Sequence, residues 1–223
     1  MHKNYFLEII TERPDLFAAI LRFNGIAQTH DAQRTPAFLT KLYTYLSDEN
    51  LAALWGCGPA KKHLQLLTPS PTELFWDFSE ESRCLALLEQ DDRDAIAIFY
   101  GACLHAPEIT RTILGKDIAK LREVLSPRAY SYVLQRGQYQ IPSGRSAFAD
   151  RHEKMPLPER VLLHGAEALG IIAAAWPQTL QNRIVTKTPS DMPISPDLQR
   201  GIWFDMKKIM LREVVPAWAP CFA

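Results

Sequence analysis

Apolar residues return at spacings of three and four along most of this chain, the period of helices that bury one face. Pro14-Asp15-Leu16-Phe17-Ala18-Ala19-Ile20-Leu21-Arg22-Phe23 opens on a proline and is followed by Asn24-Gly25, the usual asymmetry of a helix start and stop. Pro36 opens a second such segment, with Phe38, Leu39, Leu42, Tyr43 and Leu46 on one face. Ser47-Asp48 is placed to cap a short helix through Trp55, which Gly56-Cys57-Gly58-Pro59 ends.

Residues 68–78 combine turn formers with a compact aromatic group and read as a loop packed on the body. Ser79 is expected to cap a helix carrying Cys84, Leu85, Leu87 and Leu88, and Asp91 or Asp92 to cap another through Ile96, Ile98, Phe99, Cys103 and Leu104. Lys116 to Leu125 lines up Ile118, Leu121, Val124 and Leu125. Ser126-Pro127 ends that helix and starts the next, through Tyr130, Val133 and Leu134 to Gly137.

From Gly137 to Pro158 the period lapses into Gln, Pro, Ser, Gly and charges, which predicts a long loop or a small β-hairpin near residues 137–157. Leu157 to Trp176 is the most apolar helix. Its Gly165, Ala166, Gly170, Ala173, Ala174 and Ala175 let neighbours approach closely and make it the expected central helix. An irregular stretch from Thr186 to Pro196 precedes an amphipathic helix from Asp197 to Val215, with Leu198, Ile202, Trp203, Met206, Ile209 and Met210 as its stripe. No strand pattern and no internal repeat persists. The expected fold is all-α, an irregular multi-helix bundle in one domain spanning residues 1–223.

Composition fits an ordinary globular chain: 223 residues, 47% hydrophobic, 25 Lys plus Arg against 25 Asp plus Glu, with a mean hydropathy of -0.13 and a pI near 7.0. Disorder is excluded, and so is a polybasic binder of nucleic acid or anionic lipid. Cys57, Cys84, Cys103 and Cys221 have no paired spacing and read as free thiols. The N-terminus turns polar too soon for a secretory signal. The longest apolar stretch, Val161 to Trp176, is broken by His164 and Glu167 and is too short to cross a bilayer. A cytoplasmic protein is expected, any membrane association coming through a partner.

Motifs that resemble catalytic signatures fail on their details. Gly56-Cys57-Gly58-Pro59-Ala60-Lys61-Lys62 lacks the Gly-Lys-Ser/Thr ending and preceding strand of a phosphate loop. Pro142-Ser143-Gly144-Arg145-Ser146-Ala147 lacks the second glycine and strand of a nucleophile elbow. The histidines, His2, His30, His63, His105, His152 and His164, include no i, i+4 pair, so spacing points to no metal site; His105 and His164 read as interior histidines of apolar helices. Asp91, Asp92 and Asp94 suit a helix start, where carboxylates complement the dipole. Tyr130, Tyr132 and Tyr139 with Arg128 and Arg136 are too sparse for a nucleic-acid stacking surface. No catalytic, cofactor-binding or metal-ligating residue is assigned.

Neutrality conceals segregation. Residues 70–110 hold nine acids against two bases, and residues 111–187 hold twelve bases against six acids. Oppositely charged segments can steer two different partners. Arg128, Arg136, Arg145 and Arg151 are the candidate basic contacts, and Glu80, Glu81, Asp91 and Asp92 the acidic ones.

Gly101-Ala102-Cys103-Leu104-His105-Ala106-Pro107-Glu108-Ile109-Thr110-Arg111 resembles the small-residue, Leu-His, Ile and Arg segment of the SctK (YscK/PscK-like) family of type III secretion sorting-platform proteins. As in that family there follow a Leu-rich helix, Tyr130-Ser131-Tyr132-Val133-Leu134-Gln135-Arg136, a small-residue helix ending at Trp176-Pro177, Leu180 to Arg183, a proline-bearing linker and a terminal helix ending in Val-Pro. The resemblance spans residues 95–223 as a family-like core and leaves residues 1–90 as a variable helical part. It implies a non-enzymatic adaptor, without cofactor, that joins the cytoplasmic domain of the inner-membrane ring protein (SctD) to the pod protein (SctQ), and through it to the stator and ATPase (SctL and SctN). The alternative is a stand-alone helical protein-binding module, a chaperone or regulator outside secretion. An enzyme whose site assembles from non-adjacent residues, around His105 or His152, is the third reading.

Overall fold

The computed structural model describes residues 3–24, 57, 74–140, 142–184, 188–189 and 192–222. The helices expected over 36–46 and 47–55 lie outside the described residues, as do 68–73 of the aromatic loop and residues 186, 187, 190 and 191 of the irregular stretch from Thr186 to Pro196. Every regular element among the described residues is helical, with no strand, and the fold is all-α. The chain divides into two compact units, Met1–Trp76 and Asp77–Ala223, where the sequence reads as one domain.

In the first unit α1 (Lys3–Glu12) and α2 (Pro14–Phe23) meet at Arg13. Proline fits the first turn of α2, where its missing N–H has no partner to lose, and Leu16, Ala19 and Ile20 form the buried stripe. Asn24 at the helix end acts as a substitute peptide group. Its side-chain amide donates to Phe75 O at 2.8 Å and Ile20 O at 3.0 Å, while Phe75 N–H donates to Asn24 Oδ1 at 2.8 Å.

The second unit begins with a 3₁₀ segment, Glu81–Leu87, rather than an α-helix capped by Ser79. Ser79 instead turns back on Asp77, donating through both its hydroxyl (2.5 Å) and its amide (3.2 Å). Helix α3 (Gln90–Leu104) starts one residue before the expected cap: Glu89 holds the N-cap position without a side-chain capping bond, and Asp91 and Asp92 lie in the first turn beside the positive end of the dipole. Helices α4 (Ala106–Arg111), α5 (Gly115–Val124) and α6 (Pro127–Gln135) follow. Ser126 caps α6 by accepting from Ala129 N–H at 3.2 Å, with Pro127 inside the start as the sequence indicates.

Residues 137–157 form no hairpin. They contain a 3₁₀ turn (Gly137–Tyr139), the one-turn helix α7 (Arg145–Phe148) and further turns. Tertiary bonds hold them: Ser143 N–H donates to Asp205 at 2.8 Å, Gly144 N–H to Tyr100 Oη at 3.3 Å, and the Arg145 guanidinium to Cys103 O at 3.2 Å. Helix α8 (Leu157–Ala173) is central, packing along α3 and touching α5 and the last long helix. Trp176, just beyond it, donates from Nε1 to Ser82 Oγ at 3.0 Å. The one-turn helix α9 (Gln178–Gln181) leads towards α10 (Pro196–Ile209), capped by Ser195, which accepts from Leu198 N–H. Helix α10 passes into a π turn, Met210–Val214, and a 3₁₀ segment, Pro216–Phe222, so the regular helix ends short of the expected Val215.

The close approach of α3 and α8 depends on two glycines. A Cβ added at Gly101 would lie under 3.0 Å from Val161 O, and one added at Gly165 under 3.0 Å from Ala97 O. With side chains absent there, residues 97–101 run against 161–165. That register brings the C-terminal end of α3 to α8, where the buried polar residues His105, Arg160, His164 and Glu167 lie.

Candidate functional site

Three histidines that the sequence keeps far apart meet at this end of α8. His105 occupies the junction of α3 and α4, where its backbone both ends one helix and starts the next. His164 lies on the face of α8 turned towards it and is fully buried. The two rings share a hydrogen bond, His105 Nε2 to His164 Nδ1 at 2.9 Å, with centroids 5.0 Å apart. His105 Nδ1 is 2.8 Å from Glu108 Oε1, one turn on in α4, and the Arg160 guanidinium donates to the other oxygen of Glu108.

These bonds fix the protons. Glu108 is paired to Arg160, and His105 donates its Nδ1–H to the facing carboxylate oxygen. His105 Nε2 is then an acceptor, and His164 Nδ1–H donates to it. His164 Nε2 is left as a bare lone pair, buried and without a hydrogen-bond partner. Burial pushes the His164 imidazole down to about 3, and His105, His152, Arg151 and Arg160 push in the same direction, so the ring is neutral. Burial also lowers His105, against the opposing pull of Glu108.

The third histidine arrives from the turn after α7. His152 has φ of 54°, in the left-handed region that a side chain other than Asn, Asp or His rarely adopts. Its ring centroid is 5.5 Å from that of His164, and its Nε2 is 3.8 Å from Glu167 Oε1. Glu167, buried one turn beyond His164 on α8, also accepts from Arg151 at 3.3 and 3.4 Å. His152, His164 and Glu167 each bring a ligand atom to within 4.8 Å of the other two. Phe148 of α7, itself buried, stacks on His164 with ring centroids 5.0 Å apart and closes one side. Two carboxylates and two guanidiniums balance in formal charge. The cluster offers lone pairs and a chain of proton positions, with no hydroxyl or thiol among its members to act as a nucleophile.

His105 and His164 are interior histidines, as their apolar surroundings suggest, but they bond to each other across 59 positions of sequence. Neither histidine stands four residues from another. The signals present are the i, i+3 pairs His105/Glu108 and His164/Glu167, which also share a helix face.

The eight candidate contact residues fall into two groups. Arg128 and Arg136 are exposed, with their guanidiniums 3.7 and 2.9 Å from Glu213. Glu80, Glu81 and Asp91 are exposed and Asp92 half-buried; Glu80 pairs with Arg83 at 3.3 Å and Glu81 with Lys207 at 2.7 Å. Arg145 and Arg151 turn inward, Arg145 to the backbone carbonyls of Cys103 and Gln140 and Arg151 to Glu167, so they hold the fold. The outward basic surface lies on α4 to α6, where Arg111, Lys116, Lys120 and Arg122 are also exposed. Among the described residues no helix is long and apolar enough to cross a membrane. No family model, curated protein or solved structure matches the chain.

Proposed function

We propose that this chain is a non-enzymatic connector of the SctK kind, joining the cytoplasmic domain of an inner-membrane ring protein to the pod protein of a type III secretion apparatus. The order of segments from Gly101 to Val215 suggests the family, and one surface observation carries the reading. Between α4 and α5, Ile113 is 86% exposed and Leu114 61% exposed. Leu114 occupies the N-cap of α5 with no side-chain capping bond, a position where Ser, Thr, Asp or Asn would stabilise the helix by about 1 kcal/mol. Exposed Arg111 and Lys116 flank this apolar pair in sequence, and exposed Lys120 follows along α5. Apolar anchors inside a charged rim are the usual composition of a protein-docking surface.

The second pole is acidic. Glu80, Glu81, Glu89, Asp91 and Asp94 are exposed before and along the first turns of α3. Helix α3 has 15 residues and spans about 22 Å, with α4 and its basic neighbours following its opposite end. Two charged surfaces of opposite sign suit two different partners. Co-purification of the chain with candidate ring and pod proteins, together with secretion measured after deletion of its gene, tests the reading. Binding to both partners and loss of secretion are expected; binding to neither with secretion intact would refute it.

A further inference from the structure

We propose that His152, His164 and Glu167 form a binding site for a divalent transition metal of the zinc class. The proposal does not depend on the connector reading. Two observations carry it together. The three side chains already bring ligand atoms within 4.8 Å of one another. His164 Nε2 is buried and has no hydrogen-bond partner, although the large majority of buried side-chain polar atoms in folded proteins have one.

Ligand chemistry agrees with the geometry. A metal needs the neutral imidazole, and the Glu108–His105–His164 chain fixes the tautomer with Nε2 deprotonated, so binding there displaces no proton from His164. Metal-bound histidines commonly donate their other N–H to a neighbouring acceptor, as His164 Nδ1–H does to His105, and ligating carboxylates are themselves hydrogen-bonded, as Glu167 is to Arg151. Tetrahedral ligands at zinc distances stand roughly 3.4 Å apart. His152 Nε2 and Glu167 Oε1 are separated by 3.8 Å, close to that spacing, and His152 is exposed rather than locked in the core. Two histidines and one carboxylate leave a fourth position of a tetrahedral site for a further ligand. Bound metal would fasten the turn after α7 to α8.

The test is zinc binding to the full, reduced chain by competition with a chromophoric chelator, and the visible spectrum of its cobalt(II) complex. One zinc per chain and cobalt d–d bands without a thiolate-to-cobalt charge-transfer band are expected. His152→Asn keeps a residue that tolerates positive φ and should weaken zinc binding at least about tenfold. Cys57→Ser should leave binding unchanged. Absence of stoichiometric binding, a thiolate charge-transfer band, or unchanged affinity in His152→Asn would each overturn the proposal.

Discussion

Gly165 of α8 lies directly against the carbonyl oxygen of Ala97 in α3, with no room for even one methyl group between the helices. The clash would be with backbone, which cannot swing aside as a side chain can. Gly165→Ala is therefore expected to destabilise the second unit by on the order of 2–3 kcal/mol. Gly115→Ala is the control: nothing lies within 4 Å of the added Cβ, and a change between neutral and about 1 kcal/mol stabilising is expected. Denaturant melts of the two variants check the pair.

Asn24 and Phe75 form a two-way amide pair in the first unit. Asn24→Ala leaves a buried Phe75 N–H and C=O without these partners, and the expected loss is about 1–3 kcal/mol. Hydrogen exchange at the Phe75 amide should rise sharply in this variant. Unchanged protection would contradict the pairing.

Cysteine reactivity should divide by burial. Burial pushes the Cys103 thiol up to about 12, with Asp205 adding to the shift and Arg145 opposing it. At pH 8 only about one Cys103 in ten thousand is then the reactive thiolate. Cys57 is exposed, whereas Cys84 and Cys221 are buried with Cys103. Iodoacetamide at pH 8 should modify Cys57 alone in the native protein and all four after denaturation, read by mass spectrometry. Because the folded-state value is raised, stability should also fall as pH climbs above the thiol's ordinary 9.0, where the unfolded chain loses the proton first.

Asp77 sets a component of acid sensitivity. Burial raises its pKa, but hydrogen bonds from Ser79 and Arg83 outweigh burial and hold it below the ordinary 3.8. A depressed carboxylate stabilises the fold above its unfolded value and loses that effect as pH falls through its folded value. Stability should therefore decline below about pH 4, and Asp77→Asn should flatten that part of the profile while lowering stability at pH 7. Identical slopes in wild type and variant would contradict this role.

Helix grammar made much of the fold legible. Pro14, Ser126-Pro127 and the small residues of α8 mark real boundaries and a real close approach, because each acts through its own backbone. The N-cap of α3 is Glu89 rather than Asp91 or Asp92, since acids in a first turn favour the dipole whether or not one of them caps. Residues 137–157 gave no period because Asp205, Tyr100 and Cys103, all distant in sequence, hold their turns. Local spacing could not place His105 beside His164 for the same reason: their contact follows from the register that Gly101 and Gly165 permit. Nor does charge counting reveal direction, and so Arg145 and Arg151 read as surface bases although they bond inward.

Two separable docking surfaces are tested most directly by Ile113→Ser with Leu114→Ser, measured as the mass of complexes formed with the ring and pod proteins by light scattering. Both side chains are exposed and serine can cap α5, so the variant should fold at least as well as wild type. Wild type is expected to form a three-component complex, and the variant to lose one partner while keeping the other. Retention of both partners, or loss of both together, would contradict two independent surfaces.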